Sequence, residues 1–150
     1  MTTFRPEDSL GYLVNRSARL MAAALGRRLQ RHGVAIGQWA VLLFLYQQDG
    51  LSQAELSRKV AIEPPTMVRT LERMVRDGLV ERRPDPRDAR LTRIYLTNQA
   101  IGLRDALFAE ARALNRGVAA TLGAQRHDRL REDLRALITA LSGQGIQGIE

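Results

Sequence analysis

The chain of 150 residues contains no cysteine. No disulfide can form, no thiol can sense oxidants, and zinc sites built on thiolate ligands are excluded. Such a chain fits a reducing compartment, and a cytoplasmic location is expected. Histidine is almost as scarce. Only His32 and His127 occur, far apart in the sequence, so neither a metal site nor any other cofactor is expected. Long apolar runs are missing too. The longest, Ala40 to Tyr46, falls far short of the roughly 18 residues that a membrane-spanning helix needs. The start, Met1 to Asp8, is polar and does not read as a signal peptide. Catalytic signatures are also lacking: there is no nucleophile elbow, phosphate loop, HExxH helix or pair of catalytic carboxylates. An enzyme is not expected, and no residue is assigned a catalytic role.

Lysine is the last scarcity. Only Lys59 is present, so arginine carries nearly all of a net charge of +7. Guanidinium is planar, permanently charged and forked, which suits phosphates and guanine edges. A chain this basic favours a polyanionic partner. Hydrophobic residues make up 45%, enough to bury a core and to argue against wholesale disorder.

The apolar residues Leu10, Leu13, Val14, Leu20, Met21, Ala24, Leu25 and Leu29 recur at helical spacing. Asp8 or Ser9 can cap this helix and Gly33 can stop it. A mostly apolar helix is expected from Gly37 to Gln48. Ser52 and Glu55 have the spacing of a capping box at the start of a short helix reaching Val60. Pro64 and Pro65 open another, where missing N–H groups cost little, and Gly78 is its expected left-handed cap. Leu79–Arg83 and Leu91–Leu96 read as two strands of a hairpin, joined by a charged loop with two prolines. A long helix beginning near Thr97 and broken at Gly123, then a final helix through Leu130 and Leu141, complete the order. The tail from Ser142, rich in glycine and glutamine, is expected to fray. The fold class is therefore mainly α with a small β-hairpin, a winged helix-turn-helix flanked by long terminal helices. These helices have more apolar face than the middle can cover, which points to a homodimer.

A helix-turn-helix alone cannot be told from an ordinary helical hairpin. The arginine-rich hairpin beside it changes the reading. Residues 58–93 hold ten basic and six acidic side chains, so +4 of the net +7 lies in under a quarter of the chain. The second helix of the motif fits a major groove, with Pro65, Thr66, Arg69 and Thr70 toward the bases. Arg73 and Arg76 lie further along, toward phosphates. A wing presenting Arg83, Arg87 and Arg90 suits a narrow minor groove, and Asp88 is expected to brace Arg90 through a short-range ion pair.

The run Ile62-Glu63-Pro64-Pro65-Thr66-Met67-Val68-Arg69-Thr70-Leu71, then Gly78 to Arg83, resembles the recognition helix of the MarR family, in particular its SlyA-like branch. Asp85-Pro86-Arg87-Asp88-Ala89-Arg90 with Leu96-Thr97 resembles that family's wing signature. The resemblance spans about residues 9–141. It implies a single domain, with a DNA-binding lobe at about 37–97 and dimerisation helices at about 9–32 and 98–141. It implies a homodimer on a pseudo-palindromic double-stranded operator, with Arg69 and Pro65 at base-contacting positions and Arg90 in the minor groove. It further implies a regulator, expected to be a repressor relieved by a small aromatic or phenolic ligand near Arg16, Arg19 and Trp39. A SlyA-like activator that displaces another DNA-binding protein is the alternative, and a helical protein-binding adaptor is a more distant one. An adaptor has no reason to charge the hairpin.

Overall fold

The computed structural model describes residues 5–144. Contacts divide them into two compact units, one ending at Glu110 and the other beginning at Ala111. In the first unit, a 3-10 turn at Pro6–Asp8 leads into α1 (Leu10–Gln30), then α2 (Ile36–Gln47), β1 (Leu51–Ser52), α3 (Gln53–Val60) and α4 (Pro64–Arg76). The strands β2 (Val80–Pro84) and β3 (Thr92–Leu96) follow, and α5 (Asn98–Leu122) begins there and runs into the second unit. The second unit also holds α6 (Ala124–Thr139) and a closing π-helical turn, Ala140–Gln144. The tail expected to fray from Ser142 lies partly in that turn and otherwise outside the described residues.

The local signals explain most boundaries. Ser9 caps α1 by accepting from the Tyr12 amide at 3.3 Å. Ser52 and Glu55 form the reciprocal box at the start of α3: the Ser52 amide donates to Glu55 at 2.7 Å and the Glu55 amide donates to Ser52 at 3.1 Å. The turn between α3 and α4 rests on Ala61, which takes the left-handed conformation at φ 58°, uncommon for a residue with a Cβ. Gly78 ends α4 at φ 73°. There the Thr97 hydroxyl donates to the Gly78 carbonyl at 2.6 Å and accepts from the Ala100 amide at 3.2 Å. The Leu-Thr pair thus ends β3, caps α5 and fastens both to the end of α4.

The expected two-stranded hairpin proves to be a three-stranded antiparallel sheet in the order β1-β3-β2. The added strand, Leu51–Ser52, pairs with Ile94 and Arg93. Two residues are too few to show an alternation of polar and apolar positions, so they read as part of the capping box alone. The core of this unit gathers Leu42, Leu45, Leu51, Leu56, Met67, Leu71, Met74, Leu79 and Ile94, all essentially inaccessible. It therefore draws on α2, β1, α3, α4 and β3, and on Leu79 just ahead of β2. In the second unit, α6 buries no residue, and Leu130 and Ile138 are exposed.

Candidate nucleic-acid interface

The helix α4 is strongly two-sided. Met67, Leu71 and Met74 are buried, one turn apart, while Pro65, Thr66, Arg69 and Arg73 are exposed. The i, i+3 and i+4 spacing of a helix puts Thr66, Arg69 and Arg73 on one face, opposite the core. Thr70 is half-buried, and its hydroxyl is spent on the Thr66 carbonyl at 2.9 Å. Pro64 and Pro65 occupy the first turn, where the missing amides would be unpaired in any case. At the other end, Arg76 donates to Asp77 at 3.1 Å, and Gln38 from α2 donates to the same carboxylate at 2.8 Å. The Gln38 bond, then that of Arg76, holds the Asp77 carboxyl below its ordinary range. Arg76, expected to face phosphates, therefore has a partner already, whereas Arg69 and Arg73 extend from the exposed face.

The wing rises beside this helix. Arg82 on β2 reaches back to the Val68 carbonyl of α4 at 3.4 Å. Residues 86–90 form an exposed tip that includes Arg87, Asp88 and Arg90. Two sequence expectations are corrected here. Asp88 does brace this segment, but by accepting from the backbone amide of Arg90 at 3.0 Å; no ion pair joins the two side chains among the described residues, so the Arg90 guanidinium is left to project. Arg83 does not simply extend toward a ligand. It donates to Glu81 at 2.9 Å and stacks over the Tyr95 ring at 4.6 Å.

The residue that organises the wing is Asp85, which sequence reasoning missed. Its carboxylate is buried and accepts from the amides of Arg87 at 2.7 Å and Asp88 at 2.9 Å and from Nε of Arg93. The Arg93 bond first, and the two amides next, hold the Asp85 carboxyl down at about 2, against an ordinary 3.8. Arg93 is one of the ten basic residues of the 58–93 segment, and the fold turns it inward. Besides Asp85, it donates to the Gly50 carbonyl at 2.9 Å and lies 3.9 Å from Glu55, the capping residue of α3. Signals for both residues were present. Asp-Pro favours turn initiation, and the two-residue period of β3 places Arg93 on the face opposite Ile94.

The three residues expected near a ligand are not drawn into one site. Arg16 and Arg19 are exposed on α1. Trp39 is only 6% exposed and meets Phe108 edge-on with ring centres 5.9 Å apart, while Tyr46 meets the same ring at 5.6 Å. Trp39 is thus part of an aromatic core cluster. An apolar residue near the middle of a mostly apolar helix is more readily buried than offered to solvent, which is why the sequence overrated it.

A capped helix, a tight turn, an amphipathic second helix and an arginine-bearing hairpin define a winged helix-turn-helix. Residues 32–91 match the family model described as MarR family. It is 34% identical over 87 residues, 58% of its length, to the uncharacterized HTH-type transcriptional regulator YwoH of Bacillus subtilis (strain 168). It spans 63% of YwoH and 50% of a second curated relative, also named an HTH-type transcriptional regulator. Its fold matches that of a probable transcriptional regulator from Pseudomonas aeruginosa, with a TM-score of 0.81, 28% identity, and coverage of 89% of this chain and 99% of that one. The S. aureus MepR–DNA complex shares the fold at a TM-score of 0.80 and 23% identity, over 89% of this chain and 98% of MepR. Both curated relatives and the P. aeruginosa protein are named transcriptional regulators.

Proposed function

We propose that this chain binds double-stranded DNA in a sequence-specific way and regulates transcription. The observation that carries the reading is the exposed face of Thr66, Arg69 and Arg73 on α4, tied through Arg82 to a wing whose Arg87 and Arg90 also project. An α-helix of this kind fits the major groove, with Pro65, Thr66, Arg69 and Thr70 nearest the bases and Arg73 nearer the phosphates. Arg69 can donate both hydrogen bonds to one guanine, a contact worth about 1–3 kcal/mol of discrimination. Arg90 suits a narrow minor groove, with Arg87 near the backbone. That MepR, of the same fold, is seen with DNA supports the reading.

The functional form is a homodimer on a pseudo-palindromic site, one α4 per half-site. Its support is the row of exposed apolar residues on α1, namely Leu10, Leu13, Val14, Leu20 and Met21, and separately those of α6. Burying such faces against a second copy stabilises by about 25 cal/mol per Å² of apolar surface. Bound over a promoter, such a dimer represses by excluding polymerase. Release by a small aromatic acid, paired with the exposed Arg16 or Arg19, is the finest part of the proposal.

A gel shift at graded salt tests the reading, using duplex from the chain's own upstream region and bulk duplex as competitor. Affinity is expected to fall steeply as salt rises, because bound phosphates release counterions. Arg69→Ala should relax base choice at one position of each half-site and cost about ten- to a hundredfold in affinity there. No salt-dependent binding to either duplex would remove the reading, and an adaptor would be left. An unchanged footprint in Arg69→Ala would remove only the base-reading assignment. Unchanged DNA affinity with salicylate and a set of related aromatic acids would remove the effector.

A further inference from the structure

We propose that Asp85, Arg93 and Glu55 form a relay that locks the wing onto α3, so that the wing tip and the recognition helix meet DNA as one rigid surface. The inference rests on the DNA-binding reading and assigns positioning roles to residues that do not themselves face DNA.

The relay can be traced bond by bond. One oxygen of Asp85 holds the amides of Arg87 and Asp88 in the wing tip, and the other accepts from Arg93. Arg93 also donates to the Gly50 carbonyl at the entry to β1 and faces Glu55 at 3.9 Å. Glu55 closes the box at the first turn of α3 through the Ser52 amide. A continuous path of charged hydrogen bonds and one ion pair therefore joins the tip of the wing to the first helix of the helix-turn-helix. Each end of the path is local in sequence; the Arg93 links, spanning 8, 38 and 43 residues, are not.

The lock has work to do because the wing is narrow. Beyond the two-residue pairing of β1 with Ile94 and Arg93, the wing is two-stranded, and two antiparallel strands alone are only marginally stable and twist readily. The described hydrogen bonds within the tip are all local: the Arg87 and Asp88 amides bond to Asp85, Arg90 and Leu91 bond to Asp88, and the Asp85 amide bonds to Leu91. Without Arg93, nothing in this path would anchor the segment from Asp85 to Asp88 to the body of the lobe. Arg90 and Leu91 line one cleft of about 220 Å³ with Gln53 and Ala54 at the start of α3. A shift of the wing would therefore change the distance between the projecting arginine and α3. Nε and Nη1 of Arg93 are directed at Asp85, Gly50 and Glu55, toward the lobe.

The test is a double-mutant cycle read by DNA affinity, with thermal melting of every variant in parallel. Arg90→Ala and Arg93→Ala are each expected to weaken binding about tenfold, the effect of losing one charged contact. Combined, they should lose little more than either alone, within about twofold, because an unlocked wing no longer places Arg90. Asp85→Asn should reproduce Arg93→Ala, including this non-additivity, and carries the cycle if Arg93→Ala fails to melt cooperatively. Arg87→Ala removes the same charge from the exposed tip and should instead multiply with Arg90→Ala. A purely stabilising role for Arg93 would lower the melting temperature yet leave the two losses multiplying to about a hundredfold, and that result would overturn the proposal. So would unchanged affinity in a folded Arg93→Ala or Asp85→Asn. Wild-type protein that binds no duplex would instead remove the DNA-binding reading on which the relay depends.

Discussion

The segment from α2 to β3 and the helix α6 are built on opposite terms. In the former, small elements contribute one to five buried residues each, and nine large side chains there are essentially inaccessible. In α6, sixteen residues form a regular helix that buries none, and Leu130, Ile138 and the following Leu141 lie exposed. Short elements such as α3, at eight residues, are marginal as isolated helices, so packing must hold them. The contrast teaches that the middle of the chain carries its own core and can hold side chains rigidly, whereas α6 has apolar surface still to cover. A second copy of the chain is the proposed cover.

The largest expected effect on this contrast comes from the core. Leu71 is inaccessible beneath the exposed face of α4. Leu71→Ala should cost about 2–5 kcal/mol, from lost transfer energy and the cavity left behind. Urea unfolding would measure it, and a loss below about 1 kcal/mol would mean that α4 is not held by this core.

The next effect is electrostatic. The folded Asp85 carboxyl sits at about 2 against an ordinary 3.8, chiefly through Arg93. A depressed value means that the folded state favours the carboxylate. The stability it supplies is present in full above about pH 4 and is lost as pH falls through about 2. Wild-type protein should therefore lose stability from pH 4 toward pH 2 more steeply than Asp85→Asn. Parallel slopes in denaturant melts across that range would show that the wing carboxylate contributes nothing.

The smallest effect should come from α6. Ile138 is 64% exposed, and an isolated surface truncation usually changes stability by less than about 0.5 kcal/mol. Ile138→Ala should leave the melt of dilute protein almost unchanged, yet shift the monomer–dimer balance in sedimentation toward monomer. If neither the melt nor the association changed, that side chain would take no part in a dimer.

Much of this was legible in the residues. The stripe of Met67, Leu71 and Met74, the Ser52–Glu55 box, the prolines opening α4 and the glycine closing it all acted where sequence placed them. So did the Leu-Thr pair at 96–97, whose threonine caps α5. Charge was harder to read. The arginines of the wing were visible as a cluster, but a count cannot say which guanidinium projects and which turns inward. Arg90 projects, Arg83 lies against Tyr95 and Glu81, and Arg93 turns toward three acceptors. Trp39 was misjudged for a similar reason, since its partner Phe108 lies 69 residues away.

The sequence by itself determined the winged helix-turn-helix, because helical periodicity, caps and turns depend on residues within a few positions of one another. Only the tertiary structure decided which charges serve the fold. It brought Gly50, Glu55, Asp85 and Arg93 together from three separate stretches of chain, and a buried carboxylate finds its lowest free energy with whichever donors the fold delivers to it. It also added the two residues of β1 to the sheet, since a strand that short is defined by its neighbour β3 and not by its own pattern.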